Sequence, residues 1–580
     1  MQYSYNFYDS LTEKLERKSG LRESYKYYPD SSIKSAIAEG MHYSYSYYNS
    51  GKLKEKSASG KRLLSYEYDL NGNKIKQTDV TGKTTEYIYN ELDQLQEIHD
   101  GGRCITAFKY NDDGTIKEAV SANGMKNLYG YDTDKNLIKL DIDFNGEILA
   151  QNRYTYDYNG NRTKKQQLQG TTYYTYDSIN QLTNVKYPDY EEQLFYDKAG
   201  NRSKRIVNDV TEHYLYDKRN RLIRQVFQQP TGTTAKHYIY DNAGSLMNDG
   251  EKVYKNDGFN RVTQVTNNKG QVQINRYDAE GLRYEMEENK KLVQFIFNEN
   301  REVVVEQSNS DIKRLIRSYD LWASESEPEK TWYHYASDEQ GSTIFITDEE
   351  KICNRYDYDA WGNLTTCEEI IPNRYLYTGQ QFDQITQQYY LRARYYNPVI
   401  ARFTKEDVYR GDGLNLYTYC DNNPVIYYDP SGYTCDTKDA LRKKLEHGGY
   451  KTYEIDEYRR ISPGKNRAIG HSRYKKDGNI QAHHIIQNEW AKQNVKNYSQ
   501  YKAPAVLLPS NKGMEHAIIT GRQRVRYNVS GKSFEYGTIK EIFNLGYKDL
   551  IDSGVNKKIT QNAIKKAYKY FDSINAFSLK

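Results

Sequence analysis

His483 and His484 stand side by side in the string Gly478-Asn-Ile-Gln-Ala-His-His-Ile-Ile-Gln-Asn-Glu-Trp490, and His516 follows the apolar run Val506-Leu-Leu-Pro509. Neighbouring side chains on a strand point to opposite faces. A strand beginning after the turn-forming Lys476-Asp477-Gly478-Asn479 would let one imidazole hold a metal ion while the other faces a substrate. Asn488–Asn494 reads as a short helix, and Ser510 suits the N-cap of a second helix carrying His516 in its first turns. Packed behind the strand, that helix would bring His516 to the cation held by its partner. The chemistry of such a set is metal-assisted hydrolysis: one imidazole takes a proton from water and the cation stabilises the developing charge. Two histidines do not complete a coordination shell, so water, substrate or a further side chain must fill it. The same residues are compatible with a non-catalytic zinc-stabilised fold. His447 and His471 have no clear partner and read as surface residues, His471 lying close enough in sequence to be a spare ligand.

These histidines belong to a segment with its own electrostatics. Residues 434–580 hold 28 Lys and Arg against 14 Asp and Glu, a net +14, and five of the ten histidines. The preceding residues hold 55 basic and 64 acidic groups, a net −9, so the formal +5 of the whole conceals two opposite objects. The division falls at Asp429-Pro-Ser-Gly-Tyr433. Arg522, Arg524 and Arg526, expected to follow the His516 helix, and Lys565, Lys566 and Lys569 fit phosphate contacts on DNA or RNA; taken alone, such runs are solvated faces.

The elements ahead of the tail are repeats. At 580 residues the chain exceeds one ordinary core, and its apolar content is only 37%, yet it has 61 tyrosines. Tyrosine buries a ring while its hydroxyl finds a partner, which suits thin sheets and argues against disorder. The second Tyr of each Tyr-x-Tyr-Asp-like unit falls at positions 68, 89, 110, 131, 156, 176, 196, 216, 240 and 277. Units such as Tyr154-Thr-Tyr-Asp-Tyr-Asn-Gly-Asn-Arg162 predict strand, turn, strand, with Gly or Asn at positive φ. A lone hairpin is marginal, so neighbours must join into a continuous sheet. Most of these rings read as structural; exposed ones could also bind carbohydrate. Cys104, Cys353, Cys367, Cys420 and Cys435 form no CxxC pair or dense framework, so neither a disulfide scaffold nor a structural zinc site is indicated. There is no apolar run long enough to span a membrane and no signal peptide at Met1-Gln-Tyr-Ser-Tyr-Asn-Phe-Tyr8, where the chain reads as opening inside a repeat.

Over roughly residues 43–306 the wording resembles the YD repeats of the RHS family, which implies a long β-sheet spiralling into a hollow shell. From Trp332 the motifs Tyr356-Asp-Tyr-Asp-Ala-Trp-Gly362, Tyr377-Thr-Gly-Gln-Gln-Phe-Asp383, Tyr389-Tyr-Leu-Arg-Ala-Arg-Tyr-Tyr-Asn-Pro398 and Asp429-Pro-Ser-Gly-Tyr433 are very similar to the RHS repeat-associated core. That resemblance implies a plug that cuts its own chain after Tyr433, before Thr434, with Arg394, Asp407 and Asp429 as cleavage residues. Two carboxylates serve an aspartyl-type peptidase, one activating water and the other donating a proton, and an arginine can hold one of them ionised. The chain departs from the family at Ala401-Arg402-Phe403 and Asp407-Val408. Asp407 and Asp429 could instead cap turns.

The tail resembles the AHH-type branch of the HNH/endonuclease VII toxin nucleases in Ala482-His483-His484-Ile485, Leu508-Pro509 and His516. The resemblance implies a ββα-metal fold with His483 and His516 as metal ligands, His484 as general base, Asn511 as a further ligand, and Mg²⁺ or Zn²⁺ as cofactor. The expected chain is mainly β: a YD-repeat shell over residues 1–331, an RHS core plug over 332–433, and a small α+β nuclease over 434–580. The implied function is a toxin, secreted or delivered from a cell surface, whose nuclease acts on DNA or RNA in a target-cell cytoplasm. An immunity protein with an acidic face is the implied partner. A carbohydrate-binding adhesion array, or a displaced RHS remnant, each with an inert tail, stands as the alternative.

Overall fold

The repeated tyrosine sets the local geometry. In the hairpins ending at Tyr156, Tyr176, Tyr196 and Tyr216 the register slips at that residue, so one extra residue bulges from the returning strand. The bulge residue is polar in the first three, and Thr163, Thr183 and Ser203 each donate a hydroxyl hydrogen bond back across the hairpin. The tyrosine hydroxyl meanwhile reaches the previous repeat: Tyr156, Tyr176, Tyr196 and Tyr216 donate to the carbonyls of Leu137, Arg162, Leu182 and Arg202 at 2.7–2.8 Å. The turn between strands is closed by its aspartate. Asp157 Oδ1 accepts from the amides of Asn159 and Asn161, while Gly160 takes φ +80°.

This is a computed structural model. It describes all residues except 7–9, 310, 328, 409–414, 434–435, 438–445, 448–449, 452, 462–479, 510–514, 531–538, 575 and 577–580. Hairpins chained in this way make two antiparallel sheets in which each strand pairs with its sequence neighbours. One has 23 described strands from Gln2–Tyr5 to Gly232–His237, and the next has 14 from Ile239–Tyr240 to Leu364–Glu369. Residues of the two sheets and their turns meet across long sequence separations, such as 177 and 254. Arg314 is the densest of these meetings. Its guanidinium donates to Asp79 at 2.5 Å, to Asp100 at 2.7 and 2.8 Å and to Glu325 at 2.7 Å, all buried.

The segment after the second sheet packs against both. Tyr375, Tyr377, Tyr389, Tyr396 and Tyr419 join Met286, Phe295 and Leu315 of the 14-stranded sheet in one core. Ala401 and Val425 pack with Leu182 and Leu194 of the 23-stranded sheet. A four-stranded sheet, Gln381–Asp383 to Arg402–Phe403, is tied in by Asp383, which pairs with Arg283 at 2.5 Å where both side chains are fully buried. Contacts divide the chain into Met1–Asp439 and Ala440–Lys580. Strand Thr331–Ser337 pairs on both sides within the 14-stranded sheet, so position 331/332 lies in continuous pairing.

Residues of the second unit form a three-stranded antiparallel sheet, Ile455–Glu457, Pro504–Pro509 and Ile480–His484, with the middle segment of the sequence at one edge. Ile485, Trp490, Val506, Leu508, Ile519, Phe543, Leu550 and Phe571 build its core with the helices Asn488–Asn494, Glu515–Ser530, Ile539–Asp552 and Lys557–Ser573. Gly546 is required there: a Cβ would stand 2.6 Å from the Ile485 carbonyl oxygen, so the helix crosses too close for a side chain. Among the described residues no helix is long and apolar enough to cross a membrane.

Candidate functional site

Strand Ile480–His484 lies against the fully apolar Ala505–Leu508, with His483 opposite Val506 and His484 opposite Ala505. The pairing fixes the alternation, and the two imidazoles find different neighbours. His483 is buried, and its ring meets that of His516 edge-on at 5.3 Å between centroids. Gln523, seven residues along the His516 helix, brings its side-chain amide nitrogen to 3.5 Å from His483 Nε2. His484 stacks on Tyr458, with centroids 4.1 Å apart and planes 18° from parallel.

Burial, followed by the neighbouring His516 and His484, pushes His483 down to about 3. Burial also lowers His516. Both are therefore neutral at neutral pH, the form that offers a lone pair to a metal. Two neutral imidazoles, His483 buried and His516 half-buried, with an amide beside them fit a divalent cation of the zinc or magnesium type, with positions left over for water or substrate.

The other expected residues of this unit fare differently. Asn511, the Ser510 cap and the turn at 476–479 lie outside the described residues, as does His471. Arg522, Arg524 and Arg526 fall within the helix Glu515–Ser530 rather than after it. Arg522 is ion-paired with Asp552 at 2.9 Å across two helices. Tyr458 and Gln523 were missed by sequence reasoning. Gln523 could have been found, because His516 and residue 523 are two helical turns apart on one face; Tyr458 had no such signal.

A second constellation assembles in the first unit. Arg394, Asp407 and Asp429, spread over 36 positions of sequence, converge in the buried interior. Arg394 Nη2 lies 2.8 Å from Asp407 Oδ2 and 3.7 Å from Asp429 Oδ2, and the guanidinium covers the Phe403 ring at 3.5 Å. Asp429 Oδ1 accepts from the amides of Ser431, Gly432 and Tyr433, wrapping the seam around its own carboxylate. Its Oδ2 has no hydrogen-bond partner among the described residues, and burial raises its pKa against the pull of those amides and of Arg394. The seam is seated by Arg392 donating to the Pro430 carbonyl, Ala393 N to Ser431 O at 3.2 Å and Arg394 Nε to Gly432 O. Gly432 has φ +75°, and a Cβ there would lie 2.4 Å from Leu391 O, so only glycine fits. Tyr433 is 39% exposed, while Thr434 lies outside the described residues. Beyond them Asp436–Thr437 pairs back on Tyr427–Tyr428, which makes the seam the loop of a short hairpin.

Two stretches of the chain match known families. Residues 166–425 match the teneurin YD-shell family, and residues 477–572 match the HNH/Endo VII superfamily toxin with a SHH signature; this chain reads Ala482-His483-His484 at its histidine pair. The chain is 32% identical over 371 residues to the tRNA(Glu)-specific nuclease WapA of Bacillus subtilis subsp. natto, covering 60% of this chain and 15% of that protein. It is 29% identical over 371 residues to the tRNA nuclease WapA of Bacillus subtilis, covering 60% and 16%. The chain thus spans about a sixth of the length of these curated relatives. Its fold is similar to that of the TcdB2-TccC3-Cdc42 crystal structure, with TM-score 0.57 and 16% identity over 74% of this chain and 27% of that one.

Proposed function

We propose that the chain is a polymorphic toxin in which a YD-repeat shell carries a metal-dependent endonuclease. The observation that carries the reading is the meeting of His483, His516 and Gln523 on one side of a strand that presents His484 on the other, within residues matched by a toxin nuclease family. His483 and His516 would hold the cation, with Gln523 contributing its amide oxygen after rotation of the amide. When bound, the cation supplies charge neutralisation on the phosphoryl group. His484, oriented by Tyr458, removes the proton from the attacking water. The net +14 of residues 434–580 supplies the attraction for phosphates. The printed names of the WapA relatives make tRNA the first substrate to test.

The test incubates residues 434–580 and the full chain with total RNA and plasmid DNA, with Mg²⁺, Zn²⁺ or chelator, beside His484→Ala. Cutting that needs metal and vanishes in the variant is expected. A folded protein that cuts neither substrate would overturn the nuclease in favour of an adhesion array or remnant. Growth arrest on expression of the tail, relieved by an acidic immunity partner, separates the same alternatives in cells. In this reading the toxin is secreted or surface-delivered and acts in a target cytoplasm.

The seam supports self-cleavage between Tyr433 and Thr434. Asp407, ion-paired with Arg394, activates water, which adds to the Tyr433 carbonyl carbon. Asp429, the acid with the raised pKa, delivers a proton to the departing Thr434 nitrogen. The purified chain then runs as two pieces, and Asp407→Asn or Asp429→Asn leaves it whole at 68.1 kDa. Wild-type protein that stays whole under native conditions would eliminate this step.

A further inference from the structure

One cluster of metal-binding side chains lies far in sequence from both sites. In the hairpin Leu95–Asp100 and Arg103–Tyr110, Asp100 faces Arg314, and Ile98 and Ile105 are fully buried. Strand alternation therefore turns Glu97 and His99 to the opposite face. A register slip between Ile98 and His99 sets Cys104 directly across from His99. The result is a carboxylate, an imidazole and a thiol on one half-buried patch, with one donor atom of each within 4.8 Å of the others. His99 Nε2 and Glu97 Oε2 already stand 2.6 Å apart.

We propose that Glu97, His99 and Cys104 form a binding site for a thiophilic divalent cation of the zinc class. The donor set decides the class. Magnesium and calcium prefer all-oxygen shells, whereas a thiolate with an imidazole and a carboxylate is a tetrahedral set suited to zinc, with one position left to water. Short side-chain movements suffice, because the three residues sit on two adjacent, paired strands. Bound there, the cation cross-links the two strands of one hairpin in the 23-stranded sheet and stabilises the folded state by mass action. The site is independent of the histidines proposed for the nuclease.

The test uses the full chain and Co²⁺ as a spectroscopic substitute for zinc, in a background carrying His483→Ala and His516→Ala. A thiolate-to-cobalt charge-transfer band is expected, abolished by Cys104→Ser, with affinity about 10–100-fold weaker in His99→Ala. In the wild type, Zn²⁺ should slow alkylation of Cys104 while exposed Cys367 reacts unchanged. This second measurement decides the matter if the serine variant fails to fold. Absence of the band, its persistence in Cys104→Ser, or equal alkylation of Cys104 with and without zinc would overturn the proposal.

Discussion

At the scale of residues, the histidine pair and the seam arginine each sit in an environment built by side chains distant in sequence. The stack of Tyr458 on His484 is the clearest case. An aromatic pair of this kind is worth about 0.5–1.5 kcal/mol. Tyr458→Ala should therefore lower the rate of nucleic-acid cutting by up to about tenfold, while Tyr458→Phe keeps it and neither changes metal affinity. Equal loss in both variants would remove the stacking role. His334 offers a pH prediction in the first unit. It is fully buried, 3.6 Å from Glu349, and burial holds it down to about 4. The unfolded histidine takes a proton below its usual 6.5 and the folded one does not until about 4. Stability from this group is thus complete above pH 6.5 and declines as the pH falls toward 4, by on the order of 3 kcal/mol. Melting of wild type and His334→Gln at pH 7.5 and pH 5 should show a smaller acid penalty in the variant.

At the scale of elements, the repeat couples each hairpin to the one before it. The coupling is the tyrosine hydroxyl bonded to a carbonyl of the preceding hairpin, as Tyr196 is to Leu182 at 2.7 Å. Tyr196→Phe keeps the ring and loses that bond, for an expected cost of about 1 kcal/mol in chemical denaturation. No measurable change would mean that ring burial alone carries the repeat. The spacing of the tyrosines and the Asp-x-x-Gly-Asn turns were legible in the sequence, because period two and positive φ are local requirements. The bulge at each tyrosine was not, since register depends on both strands at once.

At the scale of the whole first unit, the two large sheets are joined by buried ion pairs. Arg314 holds Asp79, Asp100 and Glu325, residues from both sheets. Arg314→Leu would leave buried Asp79 and Asp100 without their cation, while Glu325 keeps Lys83 at 2.6 Å, a loss of about 3–5 kcal/mol. The expected readout is a lower melting temperature together with faster proteolysis. A variant as stable as wild type would mean that the acids take protons and the sheets close without the arginine.

The sequence by itself determined the β repeat, the acidic body and basic tail, the helix Asn488–Asn494 and the opposed faces of His483 and His484, because periodicity, charge and turn chemistry are written in neighbouring residues. Tertiary structure alone decided that Gln523 joins His483, that Tyr458 stacks on His484, that Arg522 is engaged by Asp552, and that Arg394 lies nearer Asp407 than Asp429. Each of these is a contact between segments whose separation in space is set by packing and strand register, and no local pattern encodes such a distance.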